Sequence, residues 1–210
     1  MSKIQEISNA VEKGKAKLVK GLVQEAIDAG EDAGAILDSM TGVMSVVGEK
    51  FQNKEIFVPE MLVAAKAMKL GVGVLQPHLK GTSTSKHGKF ILGTVAGDLH
   101  DIGKNLVGLM IESAGFEVID LGIDVPPEKF VEAIKENPDC KLVGLSALLT
   151  TTMEALRTTI QAIEAAGCRA QVKIMVGGAP VTQTFSDDIG ADAYTPDAGS
   201  AAAKAKELVA

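Results

Sequence analysis

Apolar residues over the first 80 positions recur at helical spacing, and no run alternates as a strand would. Ile4, Ile7 and Val11 form one stripe, and Leu18, Leu22 and Ile27 a second. Ile36, Leu37, Met40, Val43, Met44 and Val47 form a third. Gly30 sits where a helix ends, and Glu31 and Asp32 open the next one. Pro59 fits the first turn of a last helix running through Met61, Ala65, Met68 and Val72. Four helices of this length predict a small bundle over residues 1–80. The polar stretch 81–88, with Gly81 and Gly88 at its ends, predicts an interdomain linker.

From residue 89 to 210 the pattern changes to short apolar runs alternating with helical segments. The runs are Phe90–Val95, Val118–Leu121, Leu142–Leu145, Val172–Val176 and a short one near Ala193. Helical segments lie near Lys104–Ala114, Pro127–Lys135, Thr152–Ala166, Val181–Ile189 and Gly199–Val209. Strands alternating with helices predict an α/β domain with a parallel sheet and right-handed crossovers. Ligands of such sheets sit outside the carboxyl ends of the strands. Chemistry is therefore expected on the loops after the first, third and fourth strands.

Composition narrows the classes. Hydrophobic residues make up 46% of the chain and aromatics only 3%, so the core must be built from Ala, Val, Ile, Leu and Met. The formal charge of −6, with no basic stripe, argues against nucleic acid. No apolar run reaches the length of a membrane span, and the polar start MSKIQEISNAVEKGKAK does not read as a secretion signal. A cytoplasmic protein is expected. Cys140 and Cys168 have no metal-type spacing and are expected to be buried or spare thiols.

The loop after the first strand reads Gly97-Asp98-Leu99-His100-Asp101-Ile102-Gly103-Lys104-Asn105. It fails as a phosphate loop. Asn105 stands where Ser or Thr is needed, and Asp98 replaces the first glycine. A carboxylate there would also repel a phosphate. What remains is Asp-x-His-x-x-Gly at the mouth of a parallel sheet. By itself the histidine could cap the next helix or stand in solvent. Asp98, two residues earlier, is placed to take one ring N–H, as carboxylates do for metal-ligating histidines. One imidazole cannot hold a bare zinc ion. It can serve as one axial ligand to a metal already held in a macrocycle.

With these residues the second half resembles the cobalamin-binding domain shared by B12-dependent methionine synthase and the corrinoid proteins of methyltransferase systems. That family's pattern is DxHxxG, then SxL, then GG. Here it reads Asp98-x-His100-x-x-Gly103, Ser146-Ala147-Leu148 and Gly177-Gly178, each at the end of a predicted strand and close to family spacing. The resemblance implies a helical cap and a Rossmann-like (flavodoxin-like) five-stranded parallel sheet. It implies cobalamin or a related corrinoid, such as methylcobalamin, as cofactor.

The resemblance also implies roles. His100 replaces the cofactor's own dimethylbenzimidazole as axial ligand to cobalt. Gly97, Leu99, Asp101 and Ile102 line the same loop, and Gly103 lets the backbone approach the corrin. Ser146 offers a hydroxyl, and Leu148 an apolar wall, to the displaced nucleotide tail. Gly177 and Gly178 leave room where a Cβ would clash. Thr150 and Thr152 read alone as helix caps; the family places a hydroxyl at the position of Thr152, completing a His100–Asp98–hydroxyl relay. Tyr194, Asp197 and Ala198 flank the tail on the last loop.

The run 48–60 resembles the segment that covers the upper corrin face in this family, which makes Phe51 and Val58 shields for the methyl group. Leu is frequent in the family at the second position, so Val58 covers less. Phe57 reads equally well as bundle core. The chain has room for cap and binding domain but not for the substrate, folate and reactivation modules of methionine synthase. A stand-alone methyl carrier without activity of its own is implied. It would serve a substrate-specific methyltransferase, a second methyltransferase using tetrahydrofolate or coenzyme M, and a reductive activase. Other readings are the small subunit of an adenosylcobalamin-dependent mutase, a cobalamin-sensing module, and a nucleotide-binding α/β protein. The methyl donor is not legible, because its selectivity lives in the partner enzyme.

Overall fold

A computed structural model describes residues 2–79 and 87–210. Of the stretch expected to be a linker, residues 81–86 lie outside the described ones. The described residues divide into two compact units. The first comprises residues 2–79 and Ser113–Gly115, the second His87–Glu112 and Phe116–Ala210.

The first unit holds α1 (Lys3–Glu12), α2 (Ala16–Asp28), α3 (Ala33–Gln52) and α4 (Val58–Leu75), followed by one 3₁₀ turn, Gln76–His78. Local chemistry sets the boundaries. Gly30, at φ 83°, lies beyond the end of α2. Asp32 caps α3 by accepting the Ala35 N–H at 2.8 Å. Glu60 reaches back to accept the Phe57 N–H at 3.1 Å at the start of α4. The core is Ile7, Val11, Val19, Val23, Ile36, Leu37, Met40, Met44, Val47, Met61, Met68 and Leu75.

The stripe expected on α2 is shifted by one position. Val19, Val23 and Ala26 are buried, whereas Leu18 is exposed and Leu22 and Ile27 are only partly covered. The reason lies on α4. Its small residues Ala64, Ala65, Ala67 and Gly71 are buried along the helix. A Cβ on Gly71 would stand 2.3 Å from Met40 Cε and 3.0 Å from Val19 Cγ1. So close an approach accepts compact valines better than leucines. The bundle-core reading of Phe57 does not hold, because its side chain is exposed, as is that of Val58.

The second unit runs β1 (Lys89–Thr94), α5 (Ile102–Ser113), β2 (Glu117–Asp120), α6 (Pro127–Glu136), β3 (Leu142–Ser146), α7 (Met153–Ala165), β4 (Lys173–Gly177), α8 (Gln183–Asp188), β5 (Ala193–Tyr194) and α9 (Ala198–Val209). A 3₁₀ turn, Thr150–Thr152, precedes α7. The sheet is all parallel in the order β2-β1-β3-β4-β5. One core packs sheet residues Ile91, Val143, Leu145, Ile174 and Val176 with Phe130 and Ile134 of α6 and Leu156, Ile160 and Ile163 of α7. The helix expected over Val181–Ile189 is shorter, since Val181 is buried ahead of it and Thr182 caps it through the Phe185 N–H at 3.2 Å. β1 and β3 are neighbours, but the chain leaves them toward opposite edges of the sheet. This is the switch in strand order beside which ligands of such sheets bind.

Candidate functional site

Three loops meet at that switch. Register places Thr94, Ser146 and Gly177 abreast at the ends of β1, β3 and β4. The Val95 N–H donates to the Ser146 carbonyl at 3.0 Å, and the Ala147 N–H to that of Gly177 at 3.2 Å. The motif residues on these three loops are thus joined backbone to backbone.

At the centre is Asp98, with no exposed surface. Its Oδ1 accepts from His100 Nδ1 at 2.7 Å and from the His100 N–H at 3.1 Å. Its Oδ2 accepts from the Leu148 N–H at 2.7 Å and from Thr152 Oγ1 at 2.6 Å. Burial by itself pushes this carboxyl up. The hydrogen bonds from Thr152, Leu148 and His100 outweigh burial and hold it well below the usual carboxylate range. An ionised carboxylate only accepts, so the proton on the imidazole sits on Nδ1 and the lone pair on Nε2. The His100 side chain is 49% exposed.

Around it stands a rim of apolar side chains in solvent: Leu99 at 67%, Ile102 at 84%, Leu148 and Leu149. At Gly103, the second residue of α5, a Cβ would meet nothing within 4 Å. An imidazole with its lone pair outward, inside an apolar and open rim, suits a flat macrocycle whose metal needs one axial nitrogen. Among the described residues no group of three or more His, Cys, Asp or Glu could hold a metal ion. A single imidazole has the chemistry of one axial ligand to a metal held by a macrocycle.

The expected residues distribute as follows. Gly97, Leu99, Asp101 and Ile102 share the His100 loop; Gly97 has φ 80°, and the Asp101 carbonyl accepts the Asn105 N–H at 2.7 Å as α5 begins. Thr152 is buried and makes no side-chain cap to α7, so the cap reading gives way to its bond with Asp98. Thr150 is exposed. Leu148 brings a backbone N–H to Asp98 and leaves its side chain half in solvent. Crowding at Gly178 comes from the protein itself: a Cβ there would lie 1.7 Å from the Ala147 carbonyl oxygen, at φ 132°. A Cβ on Gly177 would lie 3.3 Å from the Thr195 carbonyl oxygen. Tyr194 is partly buried in β5, and Ala198 is buried where α9 starts. Asp197 caps α9, accepting from the Ser200 N–H at 2.8 Å. Phe51 and Val58 belong to the helical unit.

Lys104 disposes of the phosphate loop a second time. Its ammonium is buried and engaged by Asp120 and Asn105 Oδ1. Two further groups, outside the motifs, support the loop. Thr94, fully buried, donates through Oγ1 to the His100 carbonyl at 2.9 Å. Asp124, on the loop after β2, accepts the Gly97 N–H at 2.7 Å. The signal for Asp124 was its place at a strand's carboxyl end, on a loop not among those singled out.

Comparison with known proteins gives the family. Two family descriptions, both of a B12 binding domain, match the chain over residues 88–205 and 3–76. A dimethylamine corrinoid protein of Methanosarcina acetivorans is 46% identical over 208 residues, covering 98% of this chain and 95% of that protein. A trimethylamine corrinoid protein of Methanosarcina barkeri is 44% identical over 193 residues, covering 90% and 88%. Among solved structures, a cobalamin-binding protein from Desulfitobacterium hafniense has TM-score 0.83 at 31% identity, covering 99% and 98%. A chain of the methanol:cobalamin methyltransferase complex from Methanosarcina barkeri has TM-score 0.87 at 29% identity, covering 99% of this chain and 79% of that one. The chain belongs to the B12-binding family and is a cobalamin-binding corrinoid protein of a methyltransferase system.

Proposed function

We propose that this protein carries a methyl group between two methyltransferases, the first acting on a methylamine, and that His100 is the axial ligand to its cobalt. The observation that carries the reading is the His100–Asp98 pair: a half-exposed imidazole whose Nδ1 is committed to a buried, ionised carboxylate. A bound corrinoid supplies a cobalt that takes up and gives away the methyl group. The chain's residues do the rest. His100 would hold the cobalt through Nε2, whose lone pair its bond to Asp98 leaves free. Asp98 fixes the tautomer and the orientation of the ring. Thr152 and the Leu148 N–H keep Asp98 ionised throughout. Leu99, Ile102, Leu148 and Leu149 supply apolar surface to the macrocycle.

Of the possible methyl donors, methylamines are favoured by the dimethylamine and trimethylamine corrinoid proteins that match nearly the full chain. The remaining partners are a methyltransferase passing the methyl to tetrahydrofolate or coenzyme M, and a reductive activase. The chain by itself then has no turnover, and it works in the cytoplasm. Among the described residues no helix is long and apolar enough to cross a membrane.

Protein reconstituted with cobalamin is expected to hold one per chain through gel filtration. After reduction to cobalt(I), the spectrum is followed with dimethylamine, trimethylamine, monomethylamine or methanol:corrinoid methyltransferase and the matching substrate. Methylation by a methylamine enzyme is expected. Methylation by the methanol enzyme alone would contradict the donor assignment, and no comigration of cobalamin would contradict the site.

A further inference from the structure

The loop after β2 carries a residue outside the DxHxxG, SxL and GG motifs, Asp124. Asp124 has φ 52°, a left-handed conformation that Asp and Asn tolerate best among residues with a side chain. From there it grips the His100 loop twice. Its Oδ1 accepts the Gly97 N–H at 2.7 Å, and its own N–H donates to the Asp98 carbonyl at 3.0 Å. Two more bonds prolong the seam: the Thr94 N–H to the Gly122 carbonyl and the Val125 N–H to the Thr94 carbonyl, both at 3.0 Å. Asp98 is thus held on its side chain from the loop after β3 and on its backbone from the loop after β2.

Gly97 makes such a clamp necessary. At φ 80° it uses glycine's conformational freedom to turn the chain after β1, so the direction of the chain there depends on the hydrogen bonds that Gly97 and Asp98 make. We infer that Asp124 is a positioning residue for the axial histidine: by fixing Gly97 and the Asp98 backbone it fixes the direction in which Asp98 holds His100 Nε2. The inference rests on His100 being the axial ligand. A site this dependent on direction needs its supporting bonds as much as its ligand.

The test compares wild type, Asp124→Gly and Asp124→Asn, each loaded with cobalamin. Glycine accepts the positive φ but has no acceptor for the Gly97 N–H, whereas asparagine keeps both. Asp124 is exposed, so neither change empties a core. Losing one exposed hydrogen bond is expected to weaken histidine binding to cobalt(II) about fivefold. Cobalt(I) holds no axial ligand, so the cobalt(II)/cobalt(I) midpoint potential of Asp124→Gly should rise by about 40 mV, at 59 mV per tenfold for one electron. Asp124→Asn should return to the wild-type potential. Amide exchange at Gly97 in corrinoid-free protein should quicken in Asp124→Gly and recover in Asp124→Asn.

The failures are distinguishable. Wild type without an axial nitrogen from the protein, read by paramagnetic resonance, would remove the His100 assignment itself. Wild type with that nitrogen, but an unshifted potential in Asp124→Gly, would overturn the clamp alone. Asp124→Asn behaving as Asp124→Gly would overturn it too, because the hydrogen bond would not be the agent.

Discussion

At the scale of single residues, the site depends on one carboxylate kept charged where burial opposes charge. Asp98 is folded with its carboxyl well below the usual range. Its contribution to stability is therefore full above about pH 3.9, the ordinary carboxylate value, and is lost as pH falls from there through the depressed folded value. Urea midpoints of corrinoid-free protein are expected to drop through that acid window, and Asp98→Asn to flatten the drop. Identical acid slopes in the two proteins would show that Asp98 is not held ionised. Thr152→Val removes one donor to Asp98 and is expected to cost about 1–3 kcal/mol, where Thr152→Ser costs little. Equal urea midpoints for the two variants would return Thr152 to the role of bystander.

At the scale of elements, strand ends and helix starts are pinned by groups of unequal exposure. Lys104 at the start of α5 is buried, whereas its partner Asp120 at the end of β2 is half in solvent. Asp120→Ala leaves the buried ammonium with Asn105 Oδ1 alone and is expected to cost about 1–3 kcal/mol. Lys104→Met leaves a carboxylate that water can reach, and should cost clearly less in the same urea unfolding series. The reverse order would mean that Lys104 finds water when Asp120 is gone.

Legibility in the sequence also divides by element. Strand and helix order was readable because apolar runs and helical stripes alternate, and DxHxxG, SxL and GG stood at strand ends. The stripe of α2 is not legible, because leucines at 18 and 22 and valines at 19 and 23 offer two stripes of the same helical spacing. What decides burial there is the close approach of α4 at Gly71, a property of the partner helix. Thr152 was readable only through the family, because nothing local says that a threonine 54 residues away meets Asp98. Asp124 was missed because its role lies in a hydrogen bond to a distant backbone N–H.

At the scale of the whole molecule, the chain joins a helical unit and an α/β unit, and both match B12 binding domains. The resemblance gives the first unit the task of shielding the methyl group, through Phe51 and Val58. Phe51→Ala is then expected to speed photolysis of the methylated protein while cobalamin still comigrates with it. An unchanged photolysis rate would remove Phe51 from that role. The central claim, that His100 supplies the axial nitrogen, is tested most directly by electron paramagnetic resonance of the cobalt(II) state. Protein labelled with nitrogen-15 is loaded with unlabelled cobalamin and compared with unlabelled protein. The axial nitrogen splitting is expected to change from a triplet to a doublet on labelling, to vanish in His100→Ala, and to persist in His78→Ala and His87→Ala. A triplet that ignores protein labelling would mean that the cofactor keeps its own base on cobalt, and would contradict the account.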